Sequence, residues 1–312
     1  MKPSHTIWLI MAVVLLGSLP VRAAKPVILA TIAQIGQPVG VMAGECATVR
    51  SLMGEGVDPH LYQPTRADMK RLLSADLVLA NGHNLEAGLR GALRPLAERG
   101  RVLYIAETIE RERLLPWSDH HSDPHLWMDL TLWREALAAA VARVSATVPN
   151  CAEEIGGRAT AYFAELDGLD AYVEASLDTI PKQSRVLVTA HDAFAYFGRR
   201  YQIELHGVQG ISTESEAGLA RISNLVDLLV DRQVPAVFAE TSVSDRLVHA
   251  LVEGAAASSH SVRIAGPLYS DAMGSPGTYR GTLIGMLDHN ATTITRALGG
   301  QAAGYSPQLA ER

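Results

Sequence analysis

At 312 residues, with 48% hydrophobic and 19% charged side chains, the chain has the apolar content of an ordinary soluble globular protein and the length of two domains. A formal net charge of −6 and the lack of any basic patch with interleaved aromatics exclude a nucleic-acid binder. The mild negative field suits a cation, and serves equally as a solubility device.

Lys2 and His5 precede an apolar run from Ile7 to Leu16, followed by Gly17, Ser18, Pro20 and the small pair Ala23-Ala24. A charged start, a short apolar stretch and a V-x-A pattern ending at Ala23 read as a secretory leader over 1–23. A membrane anchor needs about 20 apolar residues, more than this run supplies. Cleavage removes Lys2 and Arg22 and takes the charge to about −8. The first cysteine is Cys46, far from the cleavage point, so the expected product is a free periplasmic protein without a lipid anchor. Cys46 and Cys151 could pair or could stand as two buried thiols, because sequence alone does not bring their Cα atoms within bridging range.

Along the chain, short β-rich runs alternate with helical stretches. Strands are predicted at Val27–Ile32, Thr48–Met53, Leu77–Ala80 and Val102–Ile105, with helices at Thr65–Ser74, Leu85–Arg99 and Thr131–Thr147. A long helix follows over about Ala152–Leu177, with Tyr162, Leu166, Leu169 and Val173 at helical spacing. After Pro181 the alternation resumes: strands at Arg185–Thr189, Ile203–Val208, Ala236–Ala239 and Val262–Ala265, and helices at Phe194–Tyr201, Ala217–Arg232, Ser244–Ala257 and Thr278–Leu298. Thr213 and Glu216 stand at capping-box spacing before the second of these helices. Strands separated by helices imply parallel sheets with crossover connections. The expected architecture is α/β with two lobes, each a parallel sheet flanked by helices: 25–150 and 181–298, joined by a rigid linker helix over 151–180. A disordered tail is expected from 299 to 312.

The tetrapeptide Asp-Pro-His-Leu occurs twice, at Asp58–Leu61 and Asp123–Leu126, followed by Tyr62 and Trp127. Proline fixes its own φ and pushes the preceding residue toward an extended conformation, so each copy holds an imidazole on a stiffened loop. Ligands of open parallel sheets bind beyond the carboxyl ends of the strands. His60 and His125 fall there in the first half, and His191 and Asp271 in the second. Together they are a candidate metal-ligating set of three imidazoles and one carboxylate. Alone, His191 reads equally as an ordinary histidine, and Asp271 as a loop or cap residue. His120 and His121 lie in a polar loop and are left out of the set. Glu240 could fix a ring's tautomer, cap a helix or pair with a cation.

Five motifs in order resemble a known family, the metal-binding receptors of ABC importers for manganese and zinc, particularly the TroA-like group. They are Gly56–Thr65, Asp123–Asp129, Val188–Phe194, Gly207–Thr213 and Ser270–Gly274, in a resemblance spanning about Lys25 to Leu298. The resemblance implies that His60, His125, His191 and Asp271 are the ligands and that a rigid helix links the lobes. It also implies a monomeric, non-enzymatic receptor that carries Mn²⁺ or Zn²⁺, with Fe²⁺ behind them, to a membrane permease with a cytoplasmic ATPase. Many manganese receptors of this kind have Glu where His191 stands. Zinc-dedicated ones carry a long His-rich insertion where this chain has only the short stretch 108–123. A periplasmic zinc hydrolase and a receptor for a chelated metal are the rival readings. No H-E-x-x-H motif, nucleophile elbow or P-loop supports the first. The second would not need four convergent ligands.

Overall fold

The computed structural model describes residues 24–118, 121–215 and 217–307. The expected leader, His120, Glu216 and residues 308–312 of the expected tail lie outside the described residues.

The first sheet contains β1 (Val27–Ala30), β2 (Thr48–Ser51), β3 (Leu77–Ala80) and β4 (Val102–Tyr104), all parallel in the order β2-β1-β3-β4. The second contains β5 (Val186–Thr189), β6 (Glu204–Gly207), β7 (Ala236–Glu240) and β8 (Arg263–Leu268), parallel in the order β6-β5-β7-β8. Central strands of such sheets are covered on both faces and should be apolar throughout rather than alternating. The β3 sequence Leu-Val-Leu-Ala and the β5 sequence Val-Leu-Val-Thr are buried at every position, whereas edge strand β2 is not.

Helices α1 (Ala33–Ala43), α2 (Arg66–Ser74), α3 (Arg90–Glu98) and α4 (Leu130–Thr147) accompany the first sheet. Helices α6 (Ala195–Tyr201), α7 (Leu219–Asp231), α8 (Arg246–Ala257) and α9 (Leu283–Ala297) accompany the second. Between them runs α5 (Ala152–Asp178), whose 27 residues span about 40 Å. The two faces of the second sheet feed different cores. Val186, Val188 and Val237 pack with Leu225, Leu229 and Leu251 of α7 and α8. Leu187, Ala236 and Phe238 join the main core, which continues through Leu166, Leu169 and Val173 of α5 into the first lobe. The lobes therefore share one apolar interior, with α5 as its spine.

Several elements depart from the sequence reading. No helix was expected at 33–43, where Gly36, Pro38 and Gly40 are poor helix formers. Packing overrides propensity there: Ile35, Val39 and Met42 are buried, and Gly36 lies so close to β2 that a Cβ would sit 2.1 Å from Ser51 Oγ. The capping box expected at Thr213 does not cap α7, which starts at Leu219 after Gly218 with no side-chain cap. The Thr213 hydroxyl bonds Asp58 instead. The expected disorder of the tail does not hold for residues 299–307. Tyr305 N–H donates to Asp288 Oδ1 at 2.9 Å, Gly304 N–H to Tyr172 Oη at 3.0 Å, and Arg296 to Ala302 O at 2.7 Å. Tyr305 also stacks near Tyr172, so an aromatic anchor fastens a stretch that small residues made look unstructured. Cys46 and Cys151, left open by the sequence, form a disulfide with Cα atoms 6.0 Å apart.

Candidate metal centre

Both Asp-Pro-His segments begin alike. Asp58 Oδ1 accepts the His60 amide at 2.8 Å, and Asp123 Oδ1 accepts the His125 amide at 2.9 Å. Each aspartate so closes a turn over its own proline and holds the histidine two residues on. The Asp123 carboxylate also lies 2.7 Å from His125 Nδ1. Behind this loop, Asn81 at the end of β3 donates to Pro124 O at 2.9 Å. Glu86 in turn accepts the Asn81 amide at 2.7 Å and the Thr31 hydroxyl at 2.6 Å.

In the second lobe His191 follows β5 by two residues. Glu240, the last residue of β7, takes both its amide (2.9 Å to Oε1) and its Nδ1 (2.6 Å to Oε2). Asp271 follows β8, and the preceding carbonyl of Ser270 accepts from Trp127 Nε1 at 3.0 Å and from Gln34 Nε2 at 3.3 Å, both from the first lobe.

These four side chains meet. One donor atom from each of His60, His125, His191 and Asp271 lies within 4.8 Å of all the others. His60 Nε2 is 3.2 Å from His125 Nε2, and Asp271 Oδ1 is 3.3 Å from His125 Nε2. Asp271 Oδ2 lies 3.1 Å from His191 Nε2 and 3.8 Å from His60 Nε2. Donors about 2.0–2.2 Å from a central ion stand roughly 3.3–3.6 Å apart in a tetrahedron. The observed contacts, from 3.1 to 3.8 Å, bracket that range.

All four residues are at most 4% exposed. His191 Nε2 and both Asp271 oxygens are buried without a hydrogen-bond partner. Leaving such atoms unpaired costs about 1–3 kcal/mol each, more for charged groups. A cation at their centre would satisfy all three. With Nδ1–H held by Asp123 or Glu240, neutral His125 and His191 turn an Nε2 lone pair inward. Among the described residues His60 has no carboxylate at its Nδ1 to match Asp123 and Glu240; the one near its ring is Asp271, 3.8 Å from Nε2.

Electrostatics follow from these partners. Burial holds the His60 imidazole down to about 3. Burial also disfavours charge on His125, but Asp123 and Asp271 outweigh it and raise the ring to about 9. His191 is raised in the same sense by Glu240 and Asp271 against its burial. Asp271 is held well below the usual carboxylate range, since the histidines overcome its desolvation.

His121 is exposed and outside the cluster. Asp123, Asn81 and Glu86 were not singled out as supports by the sequence. The only signal for Asp123 was its place in the repeat. Glu240 takes the tautomer-fixing position among its three possible roles.

Known proteins resemble this chain over most of its length. The chain is 44% identical over 270 residues to the manganese-binding lipoprotein MntA of Bacillus subtilis, covering 86% of this chain and 88% of that one. It is 40% identical over 274 residues to the zinc-binding protein TroA of Treponema pallidum, covering 88% and 89%. The solved structure of that periplasmic protein superposes with a TM-score of 0.86, covering 88% of this chain and 99% of that one. A more distant relative, 26% identical with 82% and 84% covered, is the manganese ABC transporter substrate-binding lipoprotein PsaA of Streptococcus mitis. These names overturn one expectation. MntA and PsaA are lipoproteins, so the reading of a protein without a lipid anchor, drawn from the position of Cys46, is withdrawn. Residues 28–297 match the family model described as zinc-uptake complex component A, periplasmic, and the chain belongs to this ZnuA family of metal-binding transport receptors.

Proposed function

We propose that this protein captures a divalent transition metal between its lobes and delivers it to an ABC permease driven by a cytoplasmic ATPase. His60, His125, His191 and Asp271 are the proposed ligands. The observation that carries the reading is the convergence of four buried donors, two from each lobe, three of whose atoms have no other partner. All four come from one chain, so one copy suffices. The lobes correspond to about 25–150 and 181–298, with 151–180 as the helix between them. The ABC partner is supported by the naming of PsaA as a substrate-binding component of such a transporter.

Three imidazoles suit Zn²⁺, whose raw affinity for nitrogen ligands exceeds that of Mn²⁺. Both Asp271 oxygens face the cluster, and a bidentate carboxylate would raise the coordination number and admit Mn²⁺. We hold both ions as cargo, with Fe²⁺ behind. A zinc hydrolase would need an open coordination position and a free general base. Asp123 and Glu240 hold the rings of His125 and His191, and membership of a family of metal-binding transport receptors favours carriage over hydrolysis. Elemental analysis of the purified protein, followed by competition titration with Mn²⁺ and Zn²⁺, tests the reading. Protein that binds neither ion overturns it.

A further inference from the structure

The two Asp-Pro-His-Leu segments are identical in sequence, yet their aspartates do different work. Asp123 uses one oxygen for both the amide and the ring of His125. Asp58 uses Oδ1 for the His60 amide, while Oδ2 reaches the other lobe and accepts from Thr213 Oγ1 at 2.5 Å. Thr213 belongs to the segment after β6, which is stitched to the His191 loop. Val208 N–H donates to Thr189 O and Gln209 N–H to Ala190 O, both at 2.9 Å, and Asp192 N–H donates to Gly210 O at 3.3 Å. One carboxylate therefore ties the loop of the first histidine to the segment braced against the loop of the third. Unlike the Trp127–Ser270 bond, which joins fully buried residues, this one joins two partly exposed side chains. Water can replace either partner there, so the bond can open and close without unpacking the core.

We propose that Asp58 and Thr213 form a latch between the lobes that slows release of the bound ion. Both are positioning residues: neither is among the four donors, and they act by holding His60 and the second lobe in register. The inference rests on the metal-capture reading above. A charge-assisted hydrogen bond of this kind should change the release rate by about tenfold.

The test uses the full chain loaded with Zn²⁺ and mixed with excess chelator, with release followed by stopped flow. Thr213→Val should release Zn²⁺ about tenfold faster, and Thr213→Ser, which restores the hydroxyl, should return the slow rate. The metal-free form of both variants should still unfold in one cooperative thermal transition, which separates a change in release rate from loss of the fold. Asp58→Asn, which keeps an oxygen for the His60 amide but loses the charge, should give an intermediate rate. If Thr213→Val releases Zn²⁺ at the wild-type rate while His60→Ala still loses it quickly, the latch is wrong and the capture reading stands. Faster release that Thr213→Ser does not reverse also overturns the latch. Wild-type protein that takes up no Zn²⁺ or Mn²⁺ overturns the capture reading beneath it.

Discussion

The two lobes repeat one strand order and place their candidate donors at the same end of the sheet, but they hold those donors by different means. In the second lobe His191 stands two residues beyond β5, and its clamp, Glu240, is the final residue of β7. Adjacent parallel strands fix that pair, and the sheet would have to shear to misplace it. In the first lobe His60 and His125 sit on loops well past their strands. Their precision comes from proline, from an aspartate two residues upstream and, for His125, from Asn81 and Glu86 behind. One lobe positions its histidine by strand pairing, the other mainly by local turns, with Asn81 reaching the second of them from 43 positions away. Two halves that hold their donors differently so bring four of them within 4.8 Å of one another.

If the sheet-mounted half is the more rigid, the largest effect should come from His191→Ala. It removes the ring from Glu240 Oε2 and Asp271 Oδ2 while the residue-191 amide stays on Glu240 Oε1, and Zn²⁺ affinity should fall by more than the roughly 10–100-fold typical of losing an outer partner. His60→Ala, whose ring has no carboxylate behind it, should cost less in the same competition titration; the reverse order breaks the comparison. Next come the supports. Glu240→Gln and Asp123→Asn should each weaken Zn²⁺ binding roughly 10–100-fold. Both keep an oxygen for the backbone amide, and equal melting temperatures of the metal-free variants would show the loss to be local.

The proton sharpens the contrast between the rings. His125 is raised to about 9 in the metal-free protein, above its free value of about 6.5. Its stabilising contribution is therefore complete below about pH 6.5 and is lost as pH rises through about 9. The ion competes with that same proton, so Zn²⁺ affinity should climb across this window and binding near pH 7 should release protons. His60, held down to about 3, stays neutral throughout and contributes no proton. Titration calorimetry in buffers of different ionisation enthalpy reads the proton count directly; a count of zero at pH 7 would contradict the assignment. The smallest effect concerns helix starts. Thr65 and Asp68 form a capping box on α2, directly after the first histidine motif. Thr65→Ala should cost about 1 kcal/mol in urea unfolding. In the other lobe α7 begins at uncapped Gly218, where Gly218→Ser should gain only a few tenths of a kcal/mol.

The same contrast governs what could be read in advance. Local devices are written in consecutive residues, so the doubled Asp-Pro-His-Leu stood out, as did the alternation of apolar strands with helices. Pairings between strands are not, and His191 alone gave no more than even odds against an ordinary histidine. Glu240, 49 positions away, kept three competing roles until the fold brought it to the ring. Helix α1 was hidden because Gly36 and Pro38 argue against a helix, while the reason for them, close approach to Ser51, is a tertiary fact. The tail was misjudged for a related reason: one tyrosine among small residues is enough when Asp288 and Tyr172 await it. Identical tetrapeptides could not disclose that Asp58 and Asp123 face different partners.

The bond between Cys46 and Cys151 encloses 105 positions of sequence separation and with them both His60 and His125, while His191 and Asp271 lie outside the ring. A proteolytic cut anywhere in that ring, for example at exposed Ser118, opens it without dividing the chain. The pieces bearing the two histidines stay joined through sulfur and travel together until a reductant parts them. Nicked and intact protein would be indistinguishable by size on a non-denaturing column, and the damage would surface only on a reducing gel.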